Sequence, residues 1–83
     1  MTAIIQKFSS QKLKGYADAA NMSISDVLRA LKAVVEESDL KGVIRPTYPS
    51  VKEHLRGIKE PSATYLTLYK MVFGLDKLDD LFE

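Results

Sequence analysis

The sequence predicts an all-α domain, and two observations support this prediction. Apolar side chains recur three or four positions apart along most of the chain, which is the spacing of one face of an α-helix. Serine, proline and glycine stand between these periodic segments, where helices usually begin and end. Together the two signals predict five helices, near residues 10–20, 24–37, 49–56, 62–73 and 77–82.

Length and composition limit what the chain can be. Its 83 residues form one small domain, residues 1–83, which would be marginally stable alone and is therefore expected to form a homodimer. The absence of cysteine excludes a disulfide scaffold, a thiol nucleophile and a cysteine zinc site. No apolar stretch is long enough to span a membrane and the start of the chain is not a signal peptide, so we expect a cytoplasmic protein without a membrane partner.

The first two helices have clear start signals. Ser9 or Ser10 can cap the first helix, and Asn21 after its end accepts the left-handed conformation. Ser23 with Asp26 three residues later is a variant of the capping box, with aspartate in place of glutamate.

The later helices are delimited in the same way. Thr47 is expected to cap the third helix and Gly57 to end it, Ser62 to cap the fourth, and Asp76 to cap the last. The apolar faces of all the helices predict a core that includes Leu13, Ala17, Val27, Leu31, Val51, Leu55, Leu66, Phe73 and Leu75.

Nothing in the sequence indicates an enzyme. His54 is the single histidine, and its place among apolar residues is typical of a structural side chain. The acidic run at the C-terminus lacks the glycine and the alternating oxygen ligands of a calcium loop, so it is interpreted as a solvated helix face. We expect no catalytic residue, no metal site and no cofactor.

The stretch from Tyr48 to Phe82 carries a family pattern: Val51 and Leu55 followed by "RGIKEPS", and Gly74-Leu75 before an acidic-apolar ending. It resembles the helix-turn-helix domains of the phage repressor and Cro class. The first half, "KLKGYADAANMSISDVL", is also similar to that class, with Asn21 in place of a glycine. The segment between Leu31 and Ser50 is longer than the family's turn of roughly 3–4 residues, which implies a lengthened second helix and loop before the recognition helix.

The resemblance implies a sequence-specific, repressor-like transcription regulator from a bacterium or phage that binds double-stranded DNA. It implies that the helix near 49–56 enters the major groove, with base-facing residues Tyr48, Pro49, Ser50, Lys52 and Glu53. The phosphate-facing residues would be Ser23, Arg45, Arg56, Lys59 and Ser62. The charge distribution agrees: the net charge is +1 overall, but residues 41–70 hold six basic and two acidic groups.

Two other functions stay open. Residues 3–35 also look like a ribbon-helix-helix DNA-binding regulator, in which a strand at residues 3–8 would contact bases through Gln6. A helical protein-interaction module, such as an antitoxin or antirepressor, is the third possibility. Apolar residues of the last two helices would form its partner patch, or the dimer contact of a repressor: Leu68, Val72, Leu78, Leu81 and Phe82.

Overall fold

The computed structural model describes residues 7–83, and these residues form an all-helical fold without a β-strand. Its four α-helices are α1 (Ser10–Ala19), α2 (Ile24–Glu37), α3 (Tyr48–Arg56) and α4 (Ala63–Phe73). All four begin and end within one residue of the predicted bounds. The strand that the ribbon-helix-helix alternative needs at residues 3–8 lies almost entirely outside the described residues.

The predicted fifth helix is not confirmed as an α-helix. Leu78–Leu81 form a single turn of 3-10 helix instead, so the described residues hold four α-helices. Asp76 does not cap this turn, because Lys77 occupies the cap position and makes no side-chain cap bond. Four residues close too few i→i+4 hydrogen bonds for a stable α-helix, and the tighter 3-10 turn is the common form of such short pieces.

Local capping explains why the helices start where they do. Ser9, Ser23 and Ser62 each accept a hydrogen bond from the backbone amide three residues later, at the starts of α1, α2 and α4. Thr47 precedes α3 as predicted, but its hydroxyl contacts the Ser50 hydroxyl at 2.9 Å and makes no cap bond to the backbone. Gly57 ends α3 in the left-handed conformation that glycine adopts without steric cost.

The core lies where α3 packs against α1 and α2, and where α4 packs against α2. The predictions for α1, α2 and α3 are confirmed, since these predicted core residues are buried: Leu13, Ala17, Val27, Leu31, Val51 and Leu55. Val35, Leu68, Tyr69 and Leu81 complete the buried apolar set.

The last three predicted core residues lie at the edge of the core and not inside it. Leu66, Phe73 and Leu75 are half-buried and pack against the core, whereas Leu68 and Tyr69 of α4 are fully buried. Ten of the eleven residues of α4 are uncharged, so its sequence says little about which of its apolar residues lie deepest. Packing against α2 selects the stripe of Leu68 and Tyr69.

Two of the five residues of the predicted partner patch are inaccessible to a partner. Leu68 and Leu81 are fully buried in the chain's own core, and Val72 and Phe82 pack against that core. Of the five residues, Leu78 alone remains exposed. Packing of α4 against α2 places Leu68 in the core, and the contacts of the 3-10 helix with α1 and α4 place Leu81 there.

The two ends of the described chain meet beside α1. The Ser9 amide donates to the Leu81 carbonyl at 2.8 Å, and the Glu83 amide donates to the Lys7 carbonyl at 2.9 Å. The Tyr16 hydroxyl donates to the Asp80 carbonyl at 3.1 Å. These bonds hold the C-terminal segment against α1 and the residues before it.

Candidate functional site

The connection between α1 and α2 is a short and specifically shaped turn. It consists of four residues, Ala20–Ser23, and Asn21 within it has a φ of 57°. The Asn21 amide donates to the Asp18 carbonyl at 3.0 Å, and the Met22 amide donates to the Ala17 carbonyl at 2.9 Å. Because a helix-turn-helix motif joins its two helices by a turn of roughly 3–4 residues, α1 and α2 have the motif's spacing.

The connection between α2 and α3 is much longer than the one between α1 and α2. It spans ten residues, 38–47, and contains several turns before Thr47. Residues of this loop line a groove together with Lys32 and Glu36 of α2. The long loop separates α3 from α2 in the chain, although the two helices pack together.

The first turn of α2 is held by a complete capping box. Asp26 accepts from the Ser23 amide at 2.9 Å, and the Ser23 hydroxyl accepts from the Asp26 amide at 3.2 Å. The pKa of the exposed Asp26 carboxyl is lowered, chiefly by the hydrogen bond from the Ser23 amide. The Ser23 hydroxyl and the nearby Arg29 lower it further. Arg29 lies 3.4 Å from that carboxylate and remains largely exposed. The start of α2 therefore presents a fixed backbone and an accessible guanidinium.

The outer face of α2 changes charge along its length. Ser25, Arg29 and Lys32 are exposed and recur four and three residues apart, so they form one stripe along the first half of the helix. Glu36 and Glu37 are exposed at its end. The first half of α2 thus has a polar, cationic surface and the last turn an acidic one.

The predicted base-facing residues lie on the outer side of α3. Val51, His54 and Leu55 face the core, which leaves the other residues of this nine-residue helix toward solvent. Tyr48 and Pro49 are exposed. Ser50, Lys52 and Glu53 are half-buried, so the five residues are accessible to different degrees along one side of α3.

The predicted phosphate-facing residues do not form one cluster. Ser23 and Arg56 line the same groove, between the start of α2 and the end of α3. Arg45 lines a second groove next to Lys32. Lys59 and Ser62 are exposed in the α3–α4 connection, and the Ser62 hydroxyl is occupied by its cap bond.

Lys14, Arg29 and Lys32 were absent from the predicted site. All three are exposed cationic residues of α1 and α2. The short "NMS" turn between these helices is the sequence signal that could have pointed to this helix pair.

His54 is part of a buried aromatic cluster. Its Nδ1 lies 2.7 Å from the Tyr69 hydroxyl, and its ring makes edge contacts with Tyr65 and Tyr69. Burial, and to a smaller extent Lys59, lower the pKa of His54 against the opposing effect of Glu53. Through these contacts the buried His54 joins α3 to α4.

The remaining findings concern metal sites, membrane-spanning helices and similarity to known proteins. Residues 7–83 contain no cluster of histidine, aspartate and glutamate side chains arranged to hold a metal ion. None of the helices in this part of the chain is both long and apolar enough to cross a membrane. Comparison of the chain with protein-family models, with curated proteins and with solved structures gives no match.

Proposed function

We propose that this chain is a sequence-specific DNA-binding transcription regulator in which α1 and α2 form the helix-turn-helix and α2 enters the major groove. The observation that carries the proposal is the four-residue turn between these helices, with Asn21 in the left-handed conformation. The ten-residue connection before α3 does not have this spacing.

The surface of α2 supports the same proposal. An α-helix fits the major groove of B-DNA, where short polar and cationic side chains contact base edges. Arg29 is free to pair with the O6 and N7 acceptors of a guanine, since its contact with Asp26 is solvent-exposed and weak. Ser25 and Lys32 extend the stripe on either side of it. The Glu36–Glu37 pair limits the contact to the first half of the helix because it repels phosphate.

The resemblance to phage repressors assigns base contacts to α3 instead, and the experiment must separate the two helices. Binding-site selection from a random duplex library, at one fixed salt concentration, would be carried out with the wild type, Arg29→Ala and Glu53→Ala. Arg29→Ala should change the preference at one base position by about 1–3 kcal/mol. Glu53→Ala is the matched control on α3, and it should leave the selected sequence unchanged.

Both substitutions remove partly or fully exposed charges, so each should change the free energy of unfolding by no more than about 0.5 kcal/mol. Thermal melts of the three proteins verify this. If the selected sequence changes with Glu53→Ala but not with Arg29→Ala, then α3 and not α2 contacts the bases. A wild type that enriches no sequence and binds no duplex would reject the function.

A further inference from the structure

A groove of about 630 Å³ lies where α1, α2 and α3 converge at one end of the fold. It is bordered by the outer side of α1, the turn before α2, and the last residues of α3. The apolar side chains of its lining are Ala17, Met22, Ile24 and Leu55. The polar and charged ones are Ser10, Gln11, Lys14, Asp18, Ser23 and Arg56.

The end of α3 is fixed against the start of α1 at this groove. A β-carbon added to Gly57 would lie 2.7 Å from the Ser10 hydroxyl oxygen and 3.3 Å from the Ser10 β-carbon. Gly57 therefore lies close against the Ser10 side chain. Arg56 directly precedes Gly57, and Lys14 lies one helical turn after Ser10, so the two cations border the same groove from different helices.

The charge of the groove is unequal along its length. Lys14 and Arg56 are exposed, and neither forms an ion pair within residues 7–83. Asp18 belongs also to a neighbouring groove that contains Asn21 and Asp26. One end is therefore basic and the other acidic.

We propose that the basic end of this groove binds one backbone phosphate of duplex DNA, held jointly by Lys14 and Arg56. This inference rests on the proposed function. Guanidinium and ammonium groups form charge-assisted hydrogen bonds with phosphate oxygens, and Gln11 and Ser10 add neutral donors beside them. Asp18 and Asp26 exclude a phosphate from the other end by charge repulsion.

The position of this phosphate gives it a function beyond affinity. Ser23 and Ile24, at the start of α2, line the same groove, so a strand held there is also held relative to α2. Backbone contacts set the register and orientation of a protein on the duplex, whereas base contacts provide the specificity. Lys14 and Arg56 would thus position α2 in the major groove without reading a base.

Salt dependence of DNA affinity tests the inference quantitatively. Dissociation constants would be measured at several salt concentrations for the wild type, Lys14→Gln, Arg56→Gln and the double variant, on the selected duplex and on a scrambled one. One lost phosphate contact reduces the slope of log affinity against log salt by about one. Because both residues hold one phosphate, the double variant should lose about one in slope, and its loss of affinity should be smaller than the product of the two single losses.

Lys77→Gln is the matched control, since Lys77 is exposed near the C-terminus and does not line the groove. It should leave the slope unchanged, and the groove variants should weaken both duplexes by similar factors. A slope loss near two with multiplying affinity losses would mean two separate phosphates and would overturn the shared site. Groove variants that behave like Lys77→Gln would overturn it as well, while DNA binding by the wild type would still stand. No binding by the wild type would reject the proposed function itself.

Discussion

At the scale of single residues, His54 illustrates a titratable side chain held in a buried hydrogen bond. Its side chain is 4% exposed, and the Tyr69 hydroxyl that it contacts is fully buried. Burial, and next the neighbouring Tyr65, raise the pKa of Tyr69 beyond its usual range. Both groups are therefore held in their neutral forms, and their hydrogen bond joins α3 to α4.

We predict that acid destabilises the protein through His54. Because the pKa of His54 in the folded chain lies below the value of 6.5 of an unperturbed histidine, the unfolded state binds the proton more readily. The stability contributed by neutral His54 is complete above about pH 6.5 and is lost as the pH falls from there toward the lower folded pKa. Urea unfolding at pH 7.5 and pH 5.5 would measure this loss.

His54→Gln provides the comparison, because it removes the titrating ring. Its free energy of unfolding should fall less between the two pH values than that of the wild type. The titration of Asp26 does not interfere, since its pKa lies below 3.8 in the folded chain. Equal pH dependence of the two proteins would contradict a role for His54.

At the scale of the elements, the left-handed cap at Gly57 does more than end α3. The φ of Gly57 is 74° and that of Gly74, at the end of α4, is 63°. Both caps therefore favour glycine for the same backbone reason. Gly57 is also constrained by Ser10 of α1, whereas a β-carbon on Gly74 would meet no atom within 4 Å.

We predict that Gly57→Ala is more destabilising than Gly74→Ala. The left-handed conformation costs alanine about 1–2 kcal/mol at either position. Gly57→Ala must additionally displace the Ser10 side chain, because even after its hydroxyl rotates, the Ser10 β-carbon remains 3.3 Å away. Urea unfolding of the two variants would show the difference. Equal losses would mean that the start of α1 moves aside at no cost.

At the scale of the whole molecule, the C-terminal segment completes the core. Leu81 is fully buried, and the 3-10 helix that carries it contacts both α1 and α4. The Phe8–Phe82 bridge and the flanking hydrogen bonds of Ser9 and Glu83 join this segment to the residues before α1. The fold is thus closed by contacts between residues far apart in the chain.

We predict that Leu81→Ala lowers the free energy of unfolding by about 2–5 kcal/mol, the usual cost of a buried leucine truncated to alanine. Leu78→Ala, in the same 3-10 helix, should cost less than about 1 kcal/mol, because its side chain is 37% exposed. Thermal or urea unfolding of both variants would test the contrast. A small effect of Leu81→Ala would mean that the last segment detaches without loss of the four-helix core.

Much of this fold could be predicted from local sequence, and much of the candidate surface could not. Ser9, Ser23 and Ser62 accept hydrogen bonds from amides three residues away, so their capping role can be predicted from a few neighbouring residues. A surface such as the groove between Lys14 and Arg56 joins residues far apart in the chain. No spacing rule within one helix indicates such a pair.

The sequence by itself determined the bounds of the four α-helices and the inward faces of α1, α2 and α3, because capping and amphipathic periodicity are local properties. The tertiary structure alone decided which apolar residues of α4 lie deepest, since apolar side chains cover most of this helix and packing selects among them. It also decided that Leu68 and Leu81 belong to the core. Burying their apolar surface is more favourable than leaving it exposed, but these side chains can be buried only once α1, α2 and α4 are assembled.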